Sequence, residues 1–199
     1  MINLRLVLKT CLFLLFLAGC SNQGDISPRP RAYPRVIYPE RHLTTYDQPD
    51  CPFTFSFPDY FTLMRDSTYF DEFIDNPCWF NLRSDQFNAD VHCTYTSFSS
   101  YTQFQQLVQD AFKLANEQNK RASYIEDFKI ILPNGTSGMA FNMEGPSASP
   151  FQFFLTDSVR HFFRGSLYFN SRPNPDSLRP VTEYDQEDLT GIIQSFSWR

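Results

Sequence analysis

Asp157, Ser158 and His161 are the residue types that could make a nucleophilic site, and they fall within five positions of one another. A serine becomes a nucleophile when a histidine takes its proton and a carboxylate orients that histidine. In an extended segment, however, Asp157 and His161 point to one face and Ser158 to the other. The sequence also lacks a Gly-x-Ser-x-Gly elbow. We therefore predict a strand end and turn held by Asp and Ser hydrogen bonds, and no catalytic site.

Histidines and cysteines, the usual ligands of transition metals, are too scattered to predict a metal site. Of His42, His92 and His161, only His92 lies within five residues of another histidine or cysteine, the adjacent Cys93. Neighbours on a strand face opposite ways, so this pair is not a chelate. The seven glycines form no phosphate-cradling loop. We accordingly expect no metal or cofactor.

Cys20 has the clearest chemistry, because it ends an ordered series of features. Arg5 and Lys9 accompany an apolar run that closes with the small residues Ala18 and Gly19. A cysteine directly after small residues is what thioether lipidation requires, and the run is shorter than the roughly 20 residues of a spanning helix. We interpret residues 1–19 as a lipoprotein signal peptide and Cys20 as the lipidated residue. The alternatives are an ordinary signal peptide or a short membrane anchor.

Three further cysteines, Cys51, Cys78 and Cys93, are an odd number for a compartment that permits disulfides. We expect one disulfide and one remaining thiol. Cys51 and Cys78 each open an apolar, strand-like segment, whereas Cys93 lies inside one and could be a small buried hydrophobe. These positions favour a Cys51–Cys78 disulfide.

Charge and composition argue against nucleic-acid binding and for a folded domain. The 199 residues carry a net charge of −5, and residues 1–19 hold two bases and no acid, so the rest carries −7. A nucleic-acid binder normally shows a basic stripe instead. A hydrophobic content of 42% is enough for one core.

Prolines divide the remaining chain into a tether and a domain. Five prolines punctuate residues 20–50, and they prevent a helix or a central strand from persisting there. We predict that this segment is a lipidated extended tether, part of which docks through its apolar side chains. Residues 51–199 are predicted to form a single globular domain.

The periodicity of apolar residues predicts two groups of strands separated by one helix. Apolar residues recur every three or four positions over Tyr101–Gln118, which predicts an amphipathic helix capped by Ser99 or Ser100. A terminal helix is predicted at Gln186–Phe196, after a polar loop at Ser171–Pro180. Strands are predicted at Phe53–Phe57, Trp79–Arg83, Ala89–Ser97, Phe128–Leu132, Ser137–Glu144, Phe151–Asp157 and Phe162–Asn170.

These elements predict an α+β domain in which a central antiparallel β-sheet is flanked by helices. Their order resembles the PsbP-like layered architecture, with Phe53–Phe61 standing where that fold has a strand followed by proline and an aromatic residue. A likeness of element order implies a fold and no function. The 22 Phe, ten Tyr and two Trp predict either a sheet covered on both faces or an exposed aromatic contact patch.

Three stretches of distinctive sequence span most of the chain. They are the proline-rich Pro28–Glu40 with Cys51-Pro-Phe-Thr-Phe after it, the motif Cys78-Trp-Phe-Asn-Leu, and the long stretch Glu144–Val181. Together they resemble the gliding motility lipoprotein GldD family of Bacteroidota. The resemblance implies a non-enzymatic accessory lipoprotein needed for gliding motility and type IX secretion, with other envelope lipoproteins as partners. It implies no catalytic residue and no cofactor.

Two segments of the long stretch are candidates for a partner surface. We name Glu144, Gly145, Ser149 and Pro150 from the first, and Asp157, His161 and Arg164 from the second. The alternative is that these segments make a tight turn and a sheet edge.

Two further features bear on the envelope. Asp157-Ser-Val and Asp176-Ser-Leu resemble the short acceptor pattern for O-glycosylation in Bacteroidota, which makes Ser177, in the predicted loop, a better candidate than Ser158. Ser21 stands where an Asp would signal inner-membrane retention, and no charged surface-export run follows it. This predicts an outer-membrane lipoprotein that faces the periplasm.

Two functions are compatible with these features. The first is an interaction module of the motility and secretion machinery, and the second is a periplasmic ligand-binding or hydrolytic lipoprotein. A concave pocket with convergent polar groups favours the second, and a solid core with an exposed patch favours the first.

Overall fold

The computed structural model describes residues 35–65, 68–69, 72–73 and 76–199. The predicted lipidation residue Cys20 and the tether up to residue 34 lie outside the described residues. The helices are α1, Tyr101–Glu117, and α2, Pro175–Ser195, with a short 3-10 turn at Gln118–Lys120. The strands are β1 Leu43–Tyr46, β2 Phe53–Pro58, β3 Thr62–Arg65, β4 Thr68–Tyr69, β5 Glu72–Phe73, β6 Phe80–Ser84, β7 Ala89–Ser97, β8 Tyr124–Ile131, β9 Ser137–Glu144, β10 Phe151–Thr156, β11 His161–Phe169 and β12 Ser197–Trp198.

The central element is an antiparallel sheet of seven strands in the order β3-β6-β7-β11-β10-β9-β8. The prediction of an α+β domain with a central antiparallel sheet flanked by helices is confirmed. Alternation places successive side chains of each strand on opposite faces. Phe153 and Phe163 therefore face one side, whereas Phe154 and Phe162 face the other, and all four are buried.

One face of this sheet is covered by a smaller sheet and by α2. The smaller sheet has the order β1-β2-β12, and the alternating residues Phe53, Phe55 and Phe57 of β2 point into the core. Leu189 and Ile192 of α2 join the same apolar cluster. We call this side of the sheet the core face.

The other face is covered by α1. Ser100 caps the start of this helix, since its hydroxyl accepts a hydrogen bond from the Gln103 amide at 3.2 Å, as predicted. The apolar stripe of α1 includes Ala111 and Ala115 and packs on Phe141 and Phe154. We call this side the helix face.

The second helix begins earlier than the sequence predicts. The polar loop expected at Ser171–Pro180 is wrong beyond Asn174, because α2 starts at Pro175 and continues through Pro180. The Asn174 side chain caps the helix, and proline at the first helical position loses no intrahelical hydrogen bond.

The folded unit also begins ahead of the predicted boundary at Cys51. The docked strap, residues 35–50, contributes Val36 to the edge of the core and adds β1 as an edge strand that pairs with β2. Tyr46 of this strand is 2% exposed and stacks on Phe55. An edge position is where a proline-punctuated segment can still pair with a sheet.

Candidate functional site

A row of polar side chains crosses the helix face of the sheet. Antiparallel register places Asn81 of β6 opposite His92 of β7, His92 opposite Ser166 of β11, and Ser166 opposite Gln152 of β10. Side chains that are directly opposite on one face lie about 5 Å apart at Cβ. Four residues separated by up to 85 positions in the sequence thus form one line, which we call the polar row.

Hydrogen bonds orient two parts of the polar row. The Asn81 Oδ1 and His92 Nδ1 atoms are 2.7 Å apart, and Arg164 Nη2 donates to Gln152 Oε1 at 2.9 Å. Because an amide oxygen only accepts, the hydrogen of neutral His92 is on Nδ1, which leaves Nε2 as an acceptor. The Tyr168 ring meets the His92 ring edge-on, with centroids 5.2 Å apart.

Two polar groups of the row are buried without a hydrogen-bond partner among the described residues. They are the Ser166 hydroxyl and the Gln152 amide nitrogen, on side chains that are 3% and 2% exposed. A buried polar group that lacks a partner costs about 1–3 kcal/mol. Ser166 lines the concave site described next, where a ligand could supply the missing hydrogen bond, whereas Gln152 lies outside its lining.

Helix α1 turns this part of the sheet into a groove. Its apolar stripe lies over β9, β10 and part of β11, while Leu107, Asp110 and Leu114 stand beside the uncovered strands. The resulting polar groove has a volume of about 410 Å³. Its floor is made of Asn81, His92, Thr94, Thr96, Arg164, Ser166 and Tyr168, with Trp79 at one end.

The polar groove offers donors and acceptors in close array, which suits ligand binding. Ser166 faces His92 across the strands, but its hydroxyl makes no hydrogen bond to that imidazole. An activated serine needs such a contact for proton transfer. The groove therefore presents polar groups on a lining that is otherwise largely apolar, and it offers binding contacts of both kinds.

Asp157, Ser158 and His161 form a turn. Asp157 Oδ1 accepts hydrogen bonds from the backbone N–H groups of Val159, Arg160 and His161, each at 2.9 Å. Burial tends to raise the Asp157 pKa, but these three bonds prevail and lower it. His161 Nδ1 lies 2.7 Å from the Tyr95 hydroxyl instead of contacting Ser158.

The residues named for a partner surface are not brought together. Loops 145–150 and 157–160 join opposite ends of β10, so the six residues of that strand separate them. Ser149 is fully buried and Pro150 is buried, which corrects their assignment to a surface. Gly145 has φ of +95°, and a Cβ there would approach Ser123 Oγ to 2.6 Å, so Glu144 leads into a tight turn. Arg164 alone of the named set lines the polar groove.

The expected disulfide is present. It joins Cys51 to Cys78, and Cys93 is buried as a free thiol whose pKa is raised by that burial.

The two candidate glycosylation residues lie in different surroundings. Ser177 lies in the first turn of α2, where its hydroxyl donates to Asn174 O, instead of in an exposed loop. Ser158 is exposed and has φ of +62°. Of the two, Ser158 is the more accessible, and glycosylation of either remains a prediction.

An ion-pair cluster fastens the docked strap to α2. Arg41 Nε lies 2.6 Å from Asp188 Oδ1, and its guanidinium stacks 3.9 Å above the Tyr184 ring. The Asp188 side chain is fully buried and also accepts a hydrogen bond from Tyr60. Burial raises the Asp188 pKa despite both partners.

Asp185, one turn before Asp188, is fully buried, and neither carboxylate oxygen has a hydrogen-bond partner among the described residues. Burial first, and then the Asp188 charge, raise the Asp185 pKa to about 8. A neutral carboxylic acid at physiological pH is the form that such a site favours.

Two other features are absent from the described ranges. Those residues contain no group of three or more His, Cys, Asp and Glu that could hold a metal ion. None of their helices is both long and apolar enough to span a membrane.

Comparison with known proteins identifies the family. The sequence profile of the gliding motility lipoprotein GldD matches residues 23–198. The chain belongs to the gliding motility lipoprotein GldD family. It is therefore a lipoprotein associated with gliding motility and anchored to a membrane of the cell envelope.

Two other comparisons concern curated proteins and solved structures. A search of curated proteins found no significant match. The solution structure of cyanobacterial PsbP (CyanoP) from Synechocystis sp. PCC 6803 is similar, with a TM-score of 0.46 and 9% sequence identity over 81% of this chain and 95% of that one.

Sequence reasoning missed the polar row and the polar groove. Alternation could place His92 and Ser166 each on one face of a strand, but only the pairing of β6 with β7 and of β7 with β11 aligns them. The available signal is the alternation within Ala89–Ser97, which puts the polar residues at positions 90, 92, 94 and 96 on one face of the strand.

Proposed function

We propose that this GldD-family chain is a non-enzymatic accessory component of the gliding and type IX secretion machinery. Lipid on Cys20 holds it at the outer membrane, facing the periplasm, and the polar groove binds a neighbouring envelope lipoprotein. The family match supports the first part. The observation that supports the groove is the Ser166 hydroxyl, a buried polar group in its lining that has no hydrogen-bond partner among the described residues.

An extended segment of the partner that carries both polar and apolar side chains suits this groove best. The floor of the groove spans the three neighbouring strands β6, β7 and β11, and its lining offers donors and acceptors among apolar side chains. Lipid anchoring confines both proteins to one membrane, so that modest contacts suffice at the raised local concentration.

The test replaces the chromosomal gene with groove variants in a gliding bacterium. Asp110→Arg places a long cation on the exposed wall of the groove, and we expect loss of colony spreading and of type IX secretion at unchanged protein level. Gln105→Arg, an exposed position on the same helix away from the groove, is the matched control. Normal spreading and secretion in Asp110→Arg would contradict the proposed role of the groove.

The anchor and its leaflet are tested separately. We expect Cys20→Ala to release soluble protein that no longer supports secretion, and proteinase added to intact cells to leave the wild-type protein uncleaved. A functional soluble variant would remove the anchor from the mechanism, and cleavage would place the protein on the cell surface.

The polar row favours a second candidate function, which is a binding or hydrolytic site for an envelope ligand. Asn81 orients His92, and Ser166 faces it across the strands. A serine-directed fluorophosphonate probe that labelled wild type and spared Ser166→Ala would support hydrolysis. Equal absence of labelling in both proteins would exclude Ser166 as an activated nucleophile.

A further inference from the structure

Strand β8 is an open edge of the seven-stranded sheet. All eight of its residues pair with β9 on one side, and it ends the strand order on the other. Phe128 is 44% exposed and Ile131 is 80% exposed. A long edge strand with exposed apolar residues is a template for pairing with another strand.

The register with β9 assigns each β8 side chain to a face. Ile125, Asp127, Lys129 and Ile131 share the helix face, because they lie opposite residues of β9 that include Phe141 and Met143. Phe128 lies on the core face, opposite Ala140. Asp127 and Lys129 are exposed, so both charges are available to a strand added at this edge.

We infer that β8 is a self-association edge, which pairs antiparallel with β8 of a second copy of this chain. A two-fold axis perpendicular to the sheet keeps the faces of both copies in common and makes the interface isologous. With the axis at Phe128, each Asp127 lies opposite Lys129 of the other copy, and each Ile125 lies opposite Ile131. On the helix face, two ion pairs and two apolar pairs then lie about the axis, while on the core face Glu126 lies opposite Ile130 on either side of a central pair of Phe128 rings.

Neighbouring registers are unfavourable. Moving the axis by one residue in either direction sets Asp127 against Asp127 or Lys129 against Lys129, and like charges directly opposite destabilise a strand pair. An axis between two residues would oppose side chains from different faces, which the alternation of a continuous sheet forbids. The charge pattern of β8 therefore selects the register centred on Phe128.

This pairing joins two seven-stranded sheets into one of fourteen strands. A single strand pair makes a small interface, and small interfaces are typical of weak association. Because both copies are anchored to a membrane, their effective concentration is high enough for a weak interface to be occupied.

The inference is tested by exchanging the charges of Asp127 and Lys129 in the full lipidated chain, solubilised in detergent. We expect sedimentation between 1 and 100 µM to show a monomer–dimer equilibrium for wild type. Asp127→Lys alone and Lys129→Asp alone should each raise the dissociation constant at least about tenfold, because like charges then face each other. The double exchange Asp127→Lys/Lys129→Asp should dimerise like wild type, and an equimolar mixture of the two single variants should form a heterodimer.

Controls separate association from folding. Asp59→Lys makes the same change of charge at an exposed turn away from β8 and should leave the dissociation constant unchanged. The circular dichroism spectrum and melting temperature of every variant should match those of wild type, since both β8 charges are exposed. A monomeric wild type over the whole range, or single variants that do not reassociate when mixed, would overturn the inference.

Discussion

The two faces of the seven-stranded sheet share one backbone but differ in what covers them. The core face is sealed by the smaller sheet and α2, and its buried side chains are mostly apolar, with Phe153, Phe163 and Leu167 at 1% exposure or less. The helix face is covered by α1 over only part of its width, and the polar row runs from the uncovered strands β6 and β7 across β11 to Gln152 of the covered strand β10. Apolar packing supplies stability, whereas half-buried polar groups supply recognition. One face thus maintains the fold, and the other carries the groove for which we propose partner binding.

The largest expected effect is on the core face. Phe163→Ala removes a fully buried ring that contacts the rings of Phe53 and Phe196, with centroids 4.9 and 5.1 Å away. Loss of transfer free energy and the cavity left behind should lower the free energy of unfolding by about 4 kcal/mol. Urea denaturation measures this free energy, and a loss below about 1 kcal/mol would contradict the view that the core face supplies the stability of the fold.

Removal of the disulfide should have the next largest effect. Cys51 and Cys78 close a loop with a sequence separation of 27, which connects the strap and β2 to the start of β6. Replacing both with serine frees the unfolded chain and should cost about 3.5 kcal/mol on the chain-entropy scale. Chemical denaturation of the double variant checks it, with reduced wild type as a second reference. An unchanged midpoint would contradict this expectation.

The buried Asp185 carboxyl should make the free energy of unfolding depend on pH. Its pKa of about 8 in the folded state exceeds the ordinary value, so the folded state binds this proton more tightly than the unfolded state does. The resulting stability is full below about pH 4 and is lost as pH rises towards 8. Stability of wild type relative to Asp185→Asn should therefore fall by about 3 kcal/mol between pH 5 and pH 8. Melting curves across this range provide the measurement, and a constant difference would argue against a protonated Asp185.

The smallest expected effect is on the helix face. Thr94→Ala truncates a half-buried side chain in the floor of the polar groove, and the free energy of unfolding should change by less than about 0.5 kcal/mol. The same variant should weaken binding of the partner if the groove is its site. A loss of stability comparable to that of Phe163→Ala would remove the distinction between the faces.

Local patterns predicted most of the elements but not their contacts. The alternation of Phe53, Phe55 and Phe57 and the three- and four-residue spacing within α1 carry their own structural signal. A loop is predicted over Ser171–Pro180 because that stretch is polar and contains three prolines, although Asn174 before Pro175 is a recognisable start signal for a helix. The short strand β12 forms only because tertiary packing brings it to β2, so no local pattern announces it.

The candidate site was harder to predict for a similar reason. The predicted partner surface takes its residues from two adjacent stretches of sequence. Because β9, β10 and β11 pair as consecutive hairpins, the loops between them lie at opposite ends of the sheet. The polar groove instead takes residues from β6, β7, β11 and α1, which are distant in sequence.

The disulfide also sets how this chain would carry tension. A pull from the N-terminal side first acts on Arg41 and β1, which are held by an ion pair and by strand hydrogen bonds that can open and re-form. Peeling residues 35–50 away would lengthen the link by at most about 55 Å. At Cys51 the load passes through a covalent bond to Cys78, and from there to β6 in the interior of the sheet order. Residues 35–50 can therefore detach under tension without the loss of a covalent bond, whereas the chain at Cys51 is tied to Cys78 by the disulfide.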